Sequence, residues 1–272
     1  MKSVRVLAAV AALGMLAATA AGPSATPMAR AAGDFTLAHH ERYPLERGGR
    51  VSLSNFAGTV RIATWDHDVV EVHAIKSACT SPRLKEVQVE IEAEPAEIRI
   101  RTLYSIADPI WRDDERARCD NSAMVDYILL VPRDSRLDGI SLVHGDLEIA
   151  GPSESLTAST VSGRLTARGL SGEATLSTIH GRLDVSVDDL GGRGPLTLNS
   201  VDGSIQLFLP QDADARLTAH TVTGGILNDF GLAVRRRGVT GRALDAVLGE
   251  GRSDVAVTNV TGSIAIRMSR EI

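Results

Sequence analysis

The stretch Leu156-Thr157-Ala158-Ser159-Thr160-Val161-Ser162-Gly163-Arg164-Leu165 decides the fold of this 272-residue chain. Its second half is a motif that recurs along the sequence: a branched apolar residue, a polar residue, glycine, one further residue, then leucine or isoleucine. From the first full copy onward the glycines are 18, 18, 22, 21 and 38 residues apart, and a near-constant period indicates stacked units. The glycines of all copies, with one earlier variant, are Gly58, Gly145, Gly163, Gly181, Gly203, Gly224 and Gly262.

Residue types within each copy alternate with a period of two, which predicts strands rather than helices. In the second copy we expect Leu156 and Ala158 to face inward, and the inward face to resume at Val161. Ser159 and Thr160 then form a polar corner between the two segments. Matching residues of successive copies should therefore stack on one another.

A unit of about 20 residues cannot cover its own apolar face, so units must stack at the roughly 4.8 Å spacing of hydrogen-bonded strands. The sequence therefore predicts an all-β fold of stacked-strand repeats, a β-solenoid or β-helix-like stack. We expect Val161, Ile179 and Val201 to touch in a column that runs through the molecule. Two hairpin or loop excursions, 81–122 and 229–253, interrupt the repeats, and our hypothesis is that they cover exposed strand edges.

The N-terminal residues predict a signal peptide over 1–20. Lys2 and Arg5 precede an apolar run, Val6 to Ala17, and Ala18-Thr19-Ala20 is a small-residue cleavage site. A membrane anchor is the alternative, but the run is shorter than the roughly 20 apolar residues needed to span a bilayer. We therefore expect an exported protein of the periplasm, the cell surface or the extracellular space, with no membrane span after cleavage.

The rest of the chain is interpreted as a flexible lead-in, 21–34, and a single domain, 35–272. Within the domain, 35–135 hold the N-terminal strands and a disulfide-linked hairpin, and 136–272 hold the repeats. The chain thus has one folded unit.

The net charge at pH 7 is −5, and removal of Lys2 and Arg5 with the signal peptide makes it −7. Nucleic-acid binding is dominated by cationic contacts to phosphate, so an acidic chain argues against nucleic acid as a partner. We also expect no cofactor.

Cys79 and Cys119 bracket a predicted hairpin whose arms are 87–91 and 98–102. In an oxidising compartment a pair of cysteines predicts a disulfide, which would tie down the polar loop 105–122. The alternative, a catalytic or metal-binding thiol, has no second thiol pair or neighbouring histidine motif to support it.

Several motifs together resemble the bacterial putative-adhesin family, exported proteins with β-strand repeats. The resemblance covers roughly Phe35 to Ile266. It implies attachment to a surface and carries no accepted catalytic residues. The motifs that carry it are Asn55–Val60 followed by Trp65-Asp66 and Val70-Glu71-Val72, Tyr127–Pro132, Thr160–Gly163 with its later copies, and the closing stretch from Asn228-Asp229-Phe230 to Thr261–Ile264.

A catalytic interpretation rests on the residue before each glycine. Stacking would place Ser162, His180 and Asp202 on neighbouring units, in the residue types of a hydrolytic triad. This would make the protein an enzyme acting on polysaccharides or esters. Alternation points all three outward on a convex face without a pocket or evident oxyanion donors, so we predict no catalytic residues and a solvated polar column.

A metal interpretation rests on His67, Asp68, Glu71 and His73 near one strand. Fewer than four of these side chains can be argued to converge. We therefore predict a solvated strand face and no metal site.

Binding residues are predicted at two places. Trp111 and Tyr104 offer aromatic surface for a glycan, although aromatic rings also cap sheet ends. Arg235, Arg236 and Arg237 could meet an acidic polymer or lipid headgroups, although adjacent arginines on a loop are commonly just solvated.

A rigid, repetitive face suits an extended partner. We therefore expect a non-catalytic, adhesin-like binding scaffold of the cell envelope or surface. Its partner would be a glycan or envelope polymer, or a protein. One alternative is the hydrolytic enzyme described above, and another is an envelope protein that binds a signalling component.

Overall fold

A computed structural model describes residues 4–6, 35–105, 109–112, 119–152, 154–190 and 194–269. These residues form nineteen strands, joined by hydrogen bonds into one continuous sheet, and one short helix. Most of the predicted signal peptide and all of the predicted lead-in, 21–34, lie outside the described residues. No helix in the described part of the chain is long and apolar enough to cross a membrane.

Three long parallel strands form the centre of the molecule. They are β11 (Leu156–Leu170), β12 (Ala174–Val187) and β13 (Leu196–Leu209). Gly163 pairs with Gly181, and Gly181 with Gly203, so the three motifs lie in register. Each strand bends at its glycine, and we call one such strand–bend–strand unit a rung. The predicted stacked-strand, β-solenoid-like architecture is confirmed.

Three rungs precede β11 in the stack, and each consists of two strands; in the second and third these strands flank a glycine, Gly58 and Gly145, whereas residues 105–123 separate the two strands of the first. All of them pair in parallel, in the order β7/β8, β3/β4, β9/β10, β11. The bounds are β3 (Arg50–Ala57), β4 (Val60–Trp65), β7 (Glu97–Tyr104), β8 (Met124–Pro132), β9 (Arg136–His144) and β10 (Leu147–Ala150).

The predicted hairpin is confirmed: β6 (Val87–Glu94) pairs with β7, and Ile91 faces Ile100. Our interpretation of it as an excursion from the repeats was wrong. Its second arm, β7, is half of the first rung, because its inward residues Ile98 and Ile100 are fully buried in the same core.

The last two rungs are out of sequence order. β18/β19 pairs with β13, and β14/β15 pairs with β18/β19. The final copy of the motif therefore lies between the two copies that precede it in the sequence, which explains its spacing of 38 residues. The bounds are β14 (Ala215–Thr223), β15 (Ile226–Asn228), β18 (Ser253–Thr261) and β19 (Ile264–Met268).

Antiparallel strands cover both ends of the stack; segment 229–253 supplies those at the far end, as hypothesised, whereas most of those at the near end lie outside 81–122. At the far end β17 pairs with β14 and β16 pairs with β17, while Phe230, Leu232 and Val234 pack against the core. At the near end β6 covers β7, β5 covers β8, β2 pairs with β5, and β1 pairs with β6. The bounds are β1 (Val4–Val6), β2 (Phe35–Pro44), β5 (Val69–Ala78), α1 (Ser81–Lys85), β16 (Arg235–Arg237) and β17 (Gly241–Leu248).

The inward face of the first strand segment of the rung extends two residues further than we predicted. Leu156 and Ala158 are buried, but so is Thr160, whereas Val161 is 36% exposed. The predicted polar corner at Ser159 and Thr160 is wrong, because strand alternation continues unbroken up to the bend at the glycine. The equivalent valines and isoleucine do stack, but on the outside of the molecule.

Glycine is required at the bend for two physical reasons. Gly181 and Gly203 have φ angles of +134° and +152°, which side chains with a Cβ rarely adopt. A Cβ on either would also overlap the carbonyl oxygen of the glycine on the neighbouring rung. The rungs can therefore stack only where no side chain intervenes.

We predict that Gly203→Ala lowers the free energy of unfolding by about 3 kcal/mol or more, because it combines backbone strain with overlap in the stack. Gly225→Ala is the matched control, since its Cβ would have no atom within 4 Å and its φ is not in the positive region. Denaturant unfolding of both variants measures the difference. Equal stabilities would contradict this account of the bend.

The predicted disulfide between Cys79 and Cys119 is confirmed, with the two Cα atoms 5.2 Å apart. It joins the end of β5 to the loop before β8. It closes a loop 40 residues long in sequence, which contains α1, β6 and β7.

We predict that Cys79→Ala/Cys119→Ala lowers the free energy of unfolding by about 3 to 4 kcal/mol, because the unfolded chain gains the freedom of that loop. Urea unfolding with and without reductant measures the effect. Reductant should lower the free energy of unfolding of the native protein to nearly that of the double variant. It should leave the free energy of unfolding of the variant unchanged. A reductant effect on the variant would show a different cause.

Candidate functional site

An exposed column of apolar side chains follows the bend along the stack. Each member lies two residues before the glycine of its rung, and the residues next to it pair in register with those of the neighbouring rungs. From Val161 onward the members are between 36% and 49% exposed. We call this column the apolar ladder; its members, in stacking order, are Phe56, Val143, Val161, Ile179, Val201, Val260 and Val222.

A groove of about 410 Å³ runs beside the middle of the apolar ladder. Its lining residues carry no charge: they are the ladder members from Val161 to Val260 together with serine, threonine and asparagine side chains. Ser159, Ser177, Asn199 and Thr258 place a hydroxyl or amide group next to the aliphatic group of each of these rungs, whereas Thr160, Thr178 and Ser200 are buried. The polar lining residues are Ser159, Thr160, Ser177, Thr178, Asn199, Ser200 and Thr258.

Aromatic side chains gather at the near end of the apolar ladder. The ring of Phe56 meets those of Tyr104 and His144 edge to face, with centroids 5.5 Å and 5.3 Å apart. Trp111 stacks on His144, with centroids 5.8 Å apart and planes 20° apart. We call these four residues the aromatic cluster. The two predicted aromatic residues thus lie together, next to two that the prediction did not include.

Hydrogen bonds hold the backbone on either side of Trp111 and the hydroxyl group of Tyr104. The backbone amides on either side of Trp111 are held by side-chain oxygens: Ile110 donates to Ser122 Oγ and Arg112 to Asn121 Oδ1, at 3.0 and 2.8 Å. The Tyr104 hydroxyl donates to the Ala123 carbonyl at 2.7 Å, and burial raises the pKa of Tyr104. Tyr104 therefore supports the cluster, while Trp111 comes from the loop that the disulfide anchors.

The three predicted arginines lie at the other end of the ladder. Arg235–Arg237 form β16, which turns through Gly238–Thr240 into β17. The Thr240 hydroxyl donates to the carbonyl of Val222, the last ladder member, at 2.9 Å. We call residues 235–242 the arginine hairpin. Both groups of predicted binding residues therefore flank one continuous surface.

The Ser162, His180 and Asp202 side chains lie on neighbouring rungs, as predicted. His180 Nδ1 is 3.6 Å from Asp202 Oδ2, and both side chains are 62% exposed. Two exposed groups at this distance in water attract each other weakly. The groove beside the ladder is lined by none of the three residues.

The residues weighed for a metal site are otherwise engaged. Glu71 accepts a hydrogen bond from Arg42 Nε at 2.6 Å and lies 3.0 Å from His40 Nε2. Desolvation raises the pKa of Glu71, but the hydrogen bonds with His40 and Arg42 outweigh it, so the pKa of Glu71 lies below its ordinary value. No group of three or more potential metal ligands occurs among the described residues.

The ladder was not predicted, because Val161 and its equivalents were expected in the core. One signal could have found it: counting by twos from Leu156 puts Thr160 inside and Val161 outside. The roles of Phe56 and His144 have no comparable signal, since their rings meet Tyr104 and Trp111 only through the fold.

Comparisons with known proteins point to a family and a fold. Residues 128–267 match the family described as Toastrack DUF4097. No curated protein sequence matches the chain. A putative cell adhesion protein from Clostridium sporogenes is similar in structure, with 12% identity, a TM-score of 0.49, and coverage of 86% of this chain and 100% of that one. A putative adhesin from Bacteroides fragilis has 9% identity, a TM-score of 0.29, and coverage of 86% and 97%.

Proposed function

Because the chain belongs to the Toastrack DUF4097 family of β-solenoid-like proteins, we propose that it is an exported, non-catalytic scaffold that binds an extended polymer along its bend. The observation that carries the proposal is the apolar ladder. It presents an exposed aliphatic group at the same place on successive rungs and ends in the aromatic cluster. The predicted signal peptide supports export, and the disulfide fits an oxidising compartment.

The regular spacing of the ladder favours a regular ligand. Rungs are roughly 4.8 Å apart, so a polymer lying along the stack meets the same pair of groups at each step. The sheet holds these groups in place before binding, which reduces the entropy lost when the complex forms. Many weak contacts can therefore add up to useful affinity.

The chemistry of the groove favours a glycan over a peptide. Sugar rings present apolar C–H faces and hydroxyl edges, which match the ladder valines and the neighbouring Ser177 and Asn199. An extended peptide that binds by adding a strand to a sheet needs unpaired backbone groups, as at a free strand edge. At Ile179 the surrounding strand is paired on both sides, with β11 and β13, so this face offers none. The ligand we propose is an uncharged glycan or glycan-like envelope polymer.

Trp111 is the proposed aromatic anchor of this site. Its loop holds it against His144, at the end of the ladder where Phe56 replaces the aliphatic members. A ring of this size offers more apolar contact area than any valine of the ladder. Tyr104 acts indirectly by supporting Phe56.

We predict that Val201→Asp and Trp111→Ala each weaken binding of a glycan selected on an envelope-polymer array by about tenfold or more. The first places a charge in the uncharged groove, and the second removes the anchor. Val247→Asp is the matched control, because Val247 is 57% exposed but lies on β17, away from the ladder. Isothermal titration measures the affinity of all three variants for the glycan. An equal loss of affinity in Val201→Asp and Val247→Asp would refute the site.

A separate experiment tests the hydrolytic alternative, which the adjacency of His180 and Asp202 motivates. We predict that His180→Ala leaves any residual hydrolysis of polysaccharide or ester substrates unchanged, because the pair is exposed and outside the groove. Thr261→Ala, in the same column beyond Asp202, is the control. Loss of turnover in His180→Ala alone, with an unchanged melting temperature, would establish an enzyme instead.

A further inference from the structure

The arginine hairpin concentrates positive charge on a chain whose net charge is −5. All three residues of β16 are exposed, and Arg236 lies directly opposite Arg242 on β17. Like charges directly opposite each other destabilise a strand pair, so this arrangement does not stabilise the hairpin itself. A partner of opposite charge would relieve the repulsion.

The acidic side chains at this end of the stack do not neutralise the hairpin. Asp229 pairs with Arg267 at 2.7 Å, and Asp214 pairs with Arg252 at 2.8 Å. Asp245 on β17 is exposed and has no ion pair with any described arginine. Within the part of the chain that the structure describes, Arg235–Arg237 form no ion pair at all.

An apolar residue forms the tip of the hairpin. Val239 is 95% exposed, the most exposed large apolar side chain among the described residues. The turn that carries it is fixed, because the Thr240 hydroxyl is bonded to Val222 and Arg242 Nη1 donates to the Gly241 carbonyl at 2.9 Å. The exposed tip is thus tied to the last rung through Thr240, and Arg237 and Arg242 lie on either side of it in the sequence.

We propose that the arginine hairpin docks the protein on an anionic phospholipid surface. The guanidinium groups would bind lipid phosphates, for which their planar donors are well suited. Val239 would enter the boundary between headgroups and acyl chains, where an apolar tip gains free energy that a soluble polyanion could not supply. Basic charge and an apolar group together are the two signals that hold a peripheral protein on a bilayer.

The position of the hairpin gives this docking a direction. It lies beyond the last rung, next to Val222, while the aromatic cluster lies at the opposite end of the ladder. The body of the protein is acidic and is repelled by anionic lipid, so the hairpin end is the end that faces the surface. The apolar ladder is left free for its own ligand, and the two proposals are independent.

Co-sedimentation of the exported chain with vesicles tests the inference. Binding is expected to vesicles of phosphatidylcholine with phosphatidylglycerol, to fall with added salt, and to be absent with phosphatidylcholine alone. Changing Arg235, Arg236 and Arg237 together to Gln should lower the partition coefficient roughly a hundredfold. Val239→Ser should lower it roughly tenfold, through loss of apolar contact.

The matched control is the triple variant Arg47→Gln/Arg168→Gln/Arg182→Gln, which removes the same charge from exposed arginines elsewhere. It should retain most of the binding. Three results would overturn the inference: no binding to anionic vesicles, an equal loss in both triple variants, or no effect of Val239→Ser. The last would indicate a soluble polyanion as partner, and binding to a phosphorylated polymer without vesicles would confirm that outcome. Val201→Asp should leave vesicle binding intact, so failure of the glycan site and failure of the hairpin are distinguishable.

Discussion

The stack depends on the close approach of glycine backbones at the bend. On successive rungs the carbonyl oxygen of one glycine occupies the space where a Cβ of the next would be, as at Gly163 and Gly181. Because this contact recurs at every motif glycine from Gly145 onward, it fixes the register of these rungs on both sides of the bend. A slip of one residue would move all the inward side chains to the outside. The fold and the exposed ladder therefore have a single cause.

The sequence was sufficient to predict the features that repeat or that depend on local chemistry. Period-two alternation and the recurring glycine predicted the stacked strands, and the hairpin and the disulfide between Cys79 and Cys119 were also correct. The phase of the inward face was wrong, because Thr160 is polar and was placed outside although it is buried. The polar side chain of Thr160 suggested an exposed position, whereas strand alternation from Leu156 required a buried one. The structure follows the alternation.

The order of the last two rungs could not be predicted in the same way. A spacing of 38 residues is equally compatible with a long loop followed by the next rung and with a strand that returns between two earlier rungs. The structure has the second arrangement, since Gly262 lies between Gly203 and Gly224. This choice depends on contacts between distant residues, including the pairing of β17 with the outer edge of β14. The aromatic cluster arises similarly, from three separate parts of the chain.

The apolar character of the ladder is not explained by strand formation alone. Branched side chains favour strands, and valine and isoleucine could have been selected on that ground. Threonine has the same branched shape, however, and the chain uses it in a parallel column of the same face, at Thr157, Thr175 and Thr197. At Ile179 and Val201 the chain instead keeps aliphatic groups that are 41% and 46% exposed to water. Contiguous apolar patches on protein surfaces are often binding sites. The contrast between these two columns of one face supports the proposed binding surface, and the uncharged groove beside the ladder supports the proposed uncharged ligand.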